Sequence, residues 1–162
     1  MNKMELRFNA SLSNESFVRT AVISFISILN PSLDEIAEVK TIVSEAVSNA
    51  IIHGYKLDAS KEITIKCSLL DSCLEMEIID YGIGIENIED ALKPKFTTRP
   101  DLERAGMGLT IIQALSDEFS IRSVVDMGTK IFIKKEFISS LQDNYGIANP
   151  QWRFNKESST RW

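Results

Sequence analysis

The chain has 162 residues, 44% of them hydrophobic and 25% charged, the proportions of a globular protein rather than a disordered or fibrous one. Eighteen basic against 23 acidic side chains give a net charge of −5, which argues against a nucleic-acid backbone as the main partner. No apolar run is long enough to span a bilayer and "MNKMELRFNA" lacks the apolar core of a signal peptide, so a cytoplasmic chain with no membrane partner is expected.

In "MELRFNA" apolar and polar residues alternate from Met4 to Ala10, which predicts a short first strand. Apolar residues then recur at helical spacing from Phe17 to Leu29, with Ser13 or Asn14 as N-cap, until "NPS" breaks the pattern. Ser32 with Glu35 three positions on forms a capping box for a longer helix. That helix runs to about His53, where Gly54 stops it, and Ile36, Val39, Val43, Val47 and Ala50 make its buried stripe.

Two alternating segments follow, "EITIKCSLL" and "CLEMEIID", joined by a short "DS" as in a hairpin. Residues 81 to 106 are irregular apart from a turn of helix around Asn87 to Leu92. "MGLTIIQALSDEF" reads as a third helix, and "SIRSVV" and "TKIFIKKEF" as a second hairpin. Directly joined strands exclude a doubly wound parallel sheet. The expected fold is an α/β two-layer sandwich, with a mixed, mostly antiparallel sheet covered on one face by helices. One domain over residues 1–140 and a flexible C-terminal tail over 141–162 complete the division. Cys67 and Cys73 fall in neighbouring strands where a disulfide is geometrically possible, but a cytosolic chain keeps such thiols reduced. With no further cysteine and the one histidine remote, a metal site is not supported.

Three local patterns carry chemistry. Glu45, Asn49 and His53 recur every four residues along one flank of the long helix. Asp80 ends an apolar strand and is followed by Gly82 and Gly84; a carboxylate accepts from an exocyclic amino group, while glycine lets backbone approach a flat ring. "RAGMGLT" puts Gly106 and Gly108 at a helix mouth, where free N–H groups and the dipole favour phosphate, with Arg104 beside them. Taken singly, these also fit a solvated flank, an ordinary turn and an ordinary helix start. No P-loop, Rossmann fingerprint or eukaryotic-type kinase motif set occurs.

Together and in this order, Glu-x-x-x-Asn, Asp-x-Gly-x-Gly and Gly-x-Gly-Leu resemble the N, G1 and G2 boxes of the GHKL ATPase/kinase superfamily, with Gly128-Thr129 similar to its last box. Within that superfamily, "NESFVRTAV", residues 40 to 55 and "KFTTRPDLERAGMGLTI" closely resemble the anti-sigma F family of sporulation serine kinases. The likeness covers about residues 4 to 137.

The resemblance implies the Bergerat-type ATP-binding fold, with ATP or ADP and Mg²⁺ as ligands. Glu45 would be the general base and Asn49 the Mg²⁺ ligand. Asp80 would bind the adenine amino group, with Gly82 and Gly84 allowing its approach. Thr97, Thr98 and Arg104 would belong to a lid over the phosphates, and Gly106, Met107, Gly108 and Leu109 would offer backbone donors. His53 and Thr129 would line the pocket. The implied partners are a sigma factor of the sigma F type, an anti-anti-sigma protein phosphorylated on serine, and a second copy of the chain in a homodimer. Arg19 matches a partner-contacting arginine, with Glu15 beside it; a solvated helix face is the competing account of both.

Two features depart from the family pattern. Tyr81 stands after Asp80 where relatives often carry an acidic residue, and the segment after Phe137 is long. The alternatives are a related kinase serving a stress-response sigma factor, and a nucleotide-dependent binding module without kinase activity.

Overall fold

Period-two alternation becomes a five-stranded sheet in the computed structural model, which describes residues 1–94 and 107–138. The strands are β1 (Asn2–Asn9), β2 (Glu62–Leu70), β3 (Cys73–Asp80), β4 (Glu118–Val124) and β5 (Gly128–Glu136). They lie in the order β1-β2-β3-β5-β4. All four pairings are antiparallel, so the mixed sheet allowed by the sequence is a purely antiparallel one. Hairpins supply β2–β3 and β4–β5, and two helices bridge β1 to β2.

Those helices are α1 (Glu15–Ile26) and α2 (Leu33–Asn49). Asn14 occupies the N-cap of α1, but its side chain donates instead to the Asn9 carbonyl at 2.9 Å and caps no helical N–H. The α2 capping box forms as its spacing predicts: Glu35 N–H donates to Ser32 Oγ at 3.2 Å, and Ser32 N–H to Glu35 Oε2 at 2.7 Å. A single-turn α3 (Ile88–Ala91) and α4 (Gly108–Leu115) follow β3.

The helix expected over 107–119 is shorter than its periodicity suggests. Glu118 and Phe119 begin β4, where Phe119 pairs with Ile133 on the buried face of the sheet. Strand pairing outweighs the helical spacing there, and Asp117 N–H already donates to the Lys134 carbonyl at 2.9 Å.

One apolar cluster holds the two layers together. Val18, Val22 and Ile26 of α1, Val39, Val43 and Val47 of α2, and Ile112 of α4 meet Ile63, Ile65, Leu74, Met76, Ile131 and Ile133 of the sheet. The α2 stripe is wider than expected: Ile42 and Ala46 are buried with it, while Ile36 is only half-buried. The other face of the sheet is more polar, with Lys66–Glu5 and Lys130–Glu77 ion pairs at 3.8 and 2.5 Å beside Ile79 and Phe132. Cys67 is buried and its thiol is pushed up to about 12 by that burial; Cys73 is half-buried, and both thiols are free. Among the described residues no helix is long and apolar enough to cross a membrane. The expected tail, 141–162, lies outside the described residues.

Candidate nucleotide site

Between α2, the end of β3, α3 and the start of α4 lies a cavity of about 460 Å³. Asn49 and His53 face it from α2 and the turn that closes α2, Asp80 from the floor, and Gly108 and Leu109 from α4. The last turn of α2, Ala50–Gly54, is π-helical, and Tyr55 N–H closes it onto the Ala50 carbonyl at 2.9 Å. A π-turn displaces the side chains that follow it from the regular helical row, a distortion common where a helix carries function.

Glu45 does not line the cavity itself; it stands at the rim beside Asn49. A Cβ built on Gly108 would lie 2.9 Å from Glu45 Oε2 and 3.1 Å from each side-chain oxygen and nitrogen of Asn49. Both side chains therefore converge on the N-terminus of α4, which only a residue without a side chain can offer them. Thr110 Oγ1 donates to the Leu92 carbonyl at 3.1 Å and ties that helix to the end of α3.

Asp80 is buried, and a carboxylate in that position is costly. Burial pushes its carboxyl up to about 6, with the N–H groups of Gly82 and Thr129 working in the opposite direction. Gly82 N–H donates to Oδ1 at 2.9 Å. The carboxyl has room only because Gly54 carries no side chain: a Cβ there would meet Oδ1 at 2.9 Å. Gly82 does not reach the cavity wall; it packs against the Gly54 carbonyl, 2.1 Å from where its own Cβ would stand. Gly84 does line the cavity, and its φ of +71° is a conformation that L side chains rarely adopt.

Across from Asp80 in the β3–β5 register is Thr129, buried and also on the cavity wall. Tyr81 is exposed and does not line the cavity. Met107 is half-buried and precedes α4 without lining the cavity. Thr97, Thr98, Arg104 and Gly106 lie outside the described residues.

Arg19 and Glu15 form a separate surface. Arg19 Nη1 donates to Glu15 Oε1 and to Ser44 Oγ, both at 3.1 Å, and Ser44 Oγ donates to Glu15 Oε1 at 2.5 Å. Ser44 precedes Glu45 on α2, so this surface and the cavity rim share one helical turn.

Sequence reasoning missed Gly54 as part of the site, reading it as a helix stop. It also missed Lys56, Asn87 and Asp90, which line the cavity, and Ser44. A glycine directly after His53 was a usable signal. Nothing local marks Asn87 or Asp90, which are brought in by the chain's path after β3.

The chemistry this arrangement offers is recognition of a flat donor-bearing ring at Asp80 and of anionic oxygens at the α4 N-terminus. Residues 8–135 match the family model described as the histidine kinase-like ATPase domain. The anti-sigma F factor of Clostridium acetobutylicum is 52% identical over 136 residues, 84% of this chain and 94% of that protein. The anti-sigma F factor of Priestia megaterium is 48% identical over 140 residues, 86% of this chain and 95% of that one. The crystal structure of the RsbU and RsbW domains of a Mycobacterium tuberculosis protein shares the fold, with a TM-score of 0.60 and 18% identity over 85% of this chain and 32% of that one.

Proposed function

This chain belongs to the anti-sigma F factors, within the histidine kinase-like ATPase family, and from that premise we propose that it binds and inhibits a sigma factor of the sporulation type and, with ATP, phosphorylates a serine of a small anti-anti-sigma protein. The observation that carries the kinase half is the convergence of Glu45 and Asn49 on Gly108, which lines the same cavity as Asp80. By this proposal one pocket serves both base recognition, at Asp80, and phosphate chemistry, beside Gly108.

In this reading Asp80 accepts from the adenine amino group, and the N-terminus of α4 receives the phosphates. Glu45 takes the proton of the acceptor serine as its oxygen attacks the γ-phosphorus; the bond to the β–γ bridging oxygen breaks and ADP leaves. Among the described residues no group of three His, Cys, Asp or Glu could hold a metal. Asn49 would be the protein's oxygen donor to a Mg²⁺ ion, which would supply charge neutralisation at the phosphates. Arg19 and Glu15 are read as the partner-docking pair, on a homodimer in the cytoplasm.

The test is direct. The purified protein is incubated with ATP, Mg²⁺ and candidate antagonist proteins, and any phosphorylated residue is mapped by mass spectrometry. Phosphoserine on one small antagonist is expected. Bound ATP with no transfer to any of them would leave only the nucleotide-dependent binding module.

A further inference from the structure

Ser123, on β4, is paired with Thr129 and belongs to none of the motifs described above. Its hydroxyl has three polar neighbours. Ile85 N–H donates to it at 2.9 Å, the Gly128 carbonyl lies at 3.0 Å and Thr129 Oγ1 at 2.8 Å. A hydroxyl owns one proton and two lone pairs. An amide N–H only donates and a carbonyl only accepts, so Ser123 gives its proton to Gly128 and one lone pair to Ile85. Its remaining lone pair takes the proton of Thr129.

That assignment satisfies all three contacts, and it has a consequence on the cavity side. With its proton committed, Thr129 Oγ1 keeps only lone pairs to offer a ligand in the cavity that Thr129 lines. Ionised Asp80, opposite it across the β3–β5 ladder, also only accepts. A purine with an amino group at position 6 meets matching acceptors. A purine with a carbonyl there sets lone pair against lone pair, and such repulsion is how a site rejects a near-isostere.

We propose that Ser123 is a specificity-determining positioning residue: by fixing Thr129 as an acceptor it makes the pocket select 6-amino over 6-oxo purine nucleotides. The same hydroxyl ties the segment after Gly84 to β4 through Ile85. This rests on the nucleotide-binding reading above.

The experiment titrates the full-length protein with ATP and with GTP, each with Mg²⁺, and reads the ratio of the two affinities. Wild type is expected to prefer ATP. Ser123→Ala releases the Thr129 hydroxyl to rotate and donate, and the ATP:GTP ratio is expected to fall at least tenfold. Ser123→Thr keeps the hydroxyl and should restore the ratio. Thr129→Val removes the acceptor with Ser123 in place and should lower the ratio too, which keeps the test decisive if Ser123→Ala does not fold. Equal weakening of both nucleotides in Ser123→Ala, with the ratio intact, would overturn the proposal and leave Ser123 a structural tie. Wild type binding ATP and GTP equally would overturn it as well. Wild type binding neither would overturn the nucleotide reading itself.

Discussion

A methyl group on Gly108 would come within 2.9 Å of Oε2 of Glu45, although the two residues belong to different helices and lie far apart in sequence. The atoms it would meet are the far ends of flexible side chains, so Gly108→Ala can fold by pushing Glu45 and Asn49 aside. Its φ is not in the left-handed region, and alanine is the better helix former. The expected result is stability within about 1 kcal/mol of wild type and nucleotide affinity reduced by roughly tenfold or more, about the worth of one hydrogen bond to a charged group. Thermal melting and calorimetric titration with Mg-ATP check the two halves. Unchanged affinity would remove the α4 N-terminus from the site.

Glu45 separates chemistry from binding. It stands at the rim and not on the cavity wall, so Glu45→Ala should bind Mg-ATP within a few-fold of wild type. Phosphotransfer to the antagonist should fall by about 10²–10⁴, the usual worth of a general base. A single-turnover assay with labelled ATP measures this, and transfer at the wild-type rate would disqualify Glu45 as the base.

Much of this architecture is legible in the chain. The capping box is a purely local device, so Ser32 and Glu35 announce the start of α2 before any packing is known. Alternation in "EITIKC" and "LEMEII" identifies the core face of β2 and β3 for the same reason. What was not legible depends on contacts between distant segments. The run "SDEF" keeps helical spacing, yet Phe119 gains more by pairing with Ile133 than by another turn of helix. Gly54 reads as a stop signal, but its missing side chain makes room for Asp80, 26 positions later in the chain. Ser123 is an unremarkable strand serine until the fold brings Ile85, Gly128 and Thr129 to its hydroxyl.

Asp80 links stability to pH. Its folded-state carboxyl titrates at about 6, above the ordinary value of 3.8, chiefly because burial disfavours the charge. A raised pKa means that its contribution to stability is fully present below the unfolded value and is lost as pH rises from about 4 through 6. Asp80→Asn removes that loss, so at pH 7.5 the ligand-free variant should be more stable than wild type by about 1–3 kcal/mol. The same variant should bind ATP poorly. In wild type, affinity should rise with pH between 5 and 7 as the carboxylate forms. Asp80→Asn should lack that component and keep only the titration of the nucleotide phosphates. Denaturant melts and titrations across this range test both signs, and identical pH profiles for the two proteins would contradict the assignment.

The Arg19–Glu15–Ser44 cluster predicts a variant with the opposite phenotype. Arg19 is about one-third exposed and held by two acceptors, so its guanidinium is preorganised for a partner carboxylate. Arg19→Ala should retain ATP affinity, because no member of the cluster lines the cavity. Capture of the sigma factor or the antagonist in a pull-down should fall by about tenfold or more, the loss expected on removing a charge-assisted contact. Full partner binding by Arg19→Ala would return this surface to an ordinary solvated helix face.

Glu35 closes the capping box with Oε2, and with Oε1 it accepts from the Ile138 N–H at 2.8 Å. One carboxylate therefore fastens the start of α2 to the residue just past β5, beside Phe137, whose own N–H donates to the Ser72 carbonyl at 2.9 Å. Glu35→Ala removes both attachments. A cap is worth about 1 kcal/mol and a hydrogen bond to a charged group about 1.5–3 kcal/mol, so a loss of roughly 2.5–4 kcal/mol is expected. Glu35→Gln has one oxygen and one amide nitrogen where two N–H groups need acceptors, so it can satisfy only one of them and should lose an intermediate amount. Neither variant should change ATP affinity, since Glu35 lies well before the cavity-lining end of α2. Urea unfolding of the three proteins orders them. If Glu35→Gln matched wild type, only one of the two attachments would contribute to stability.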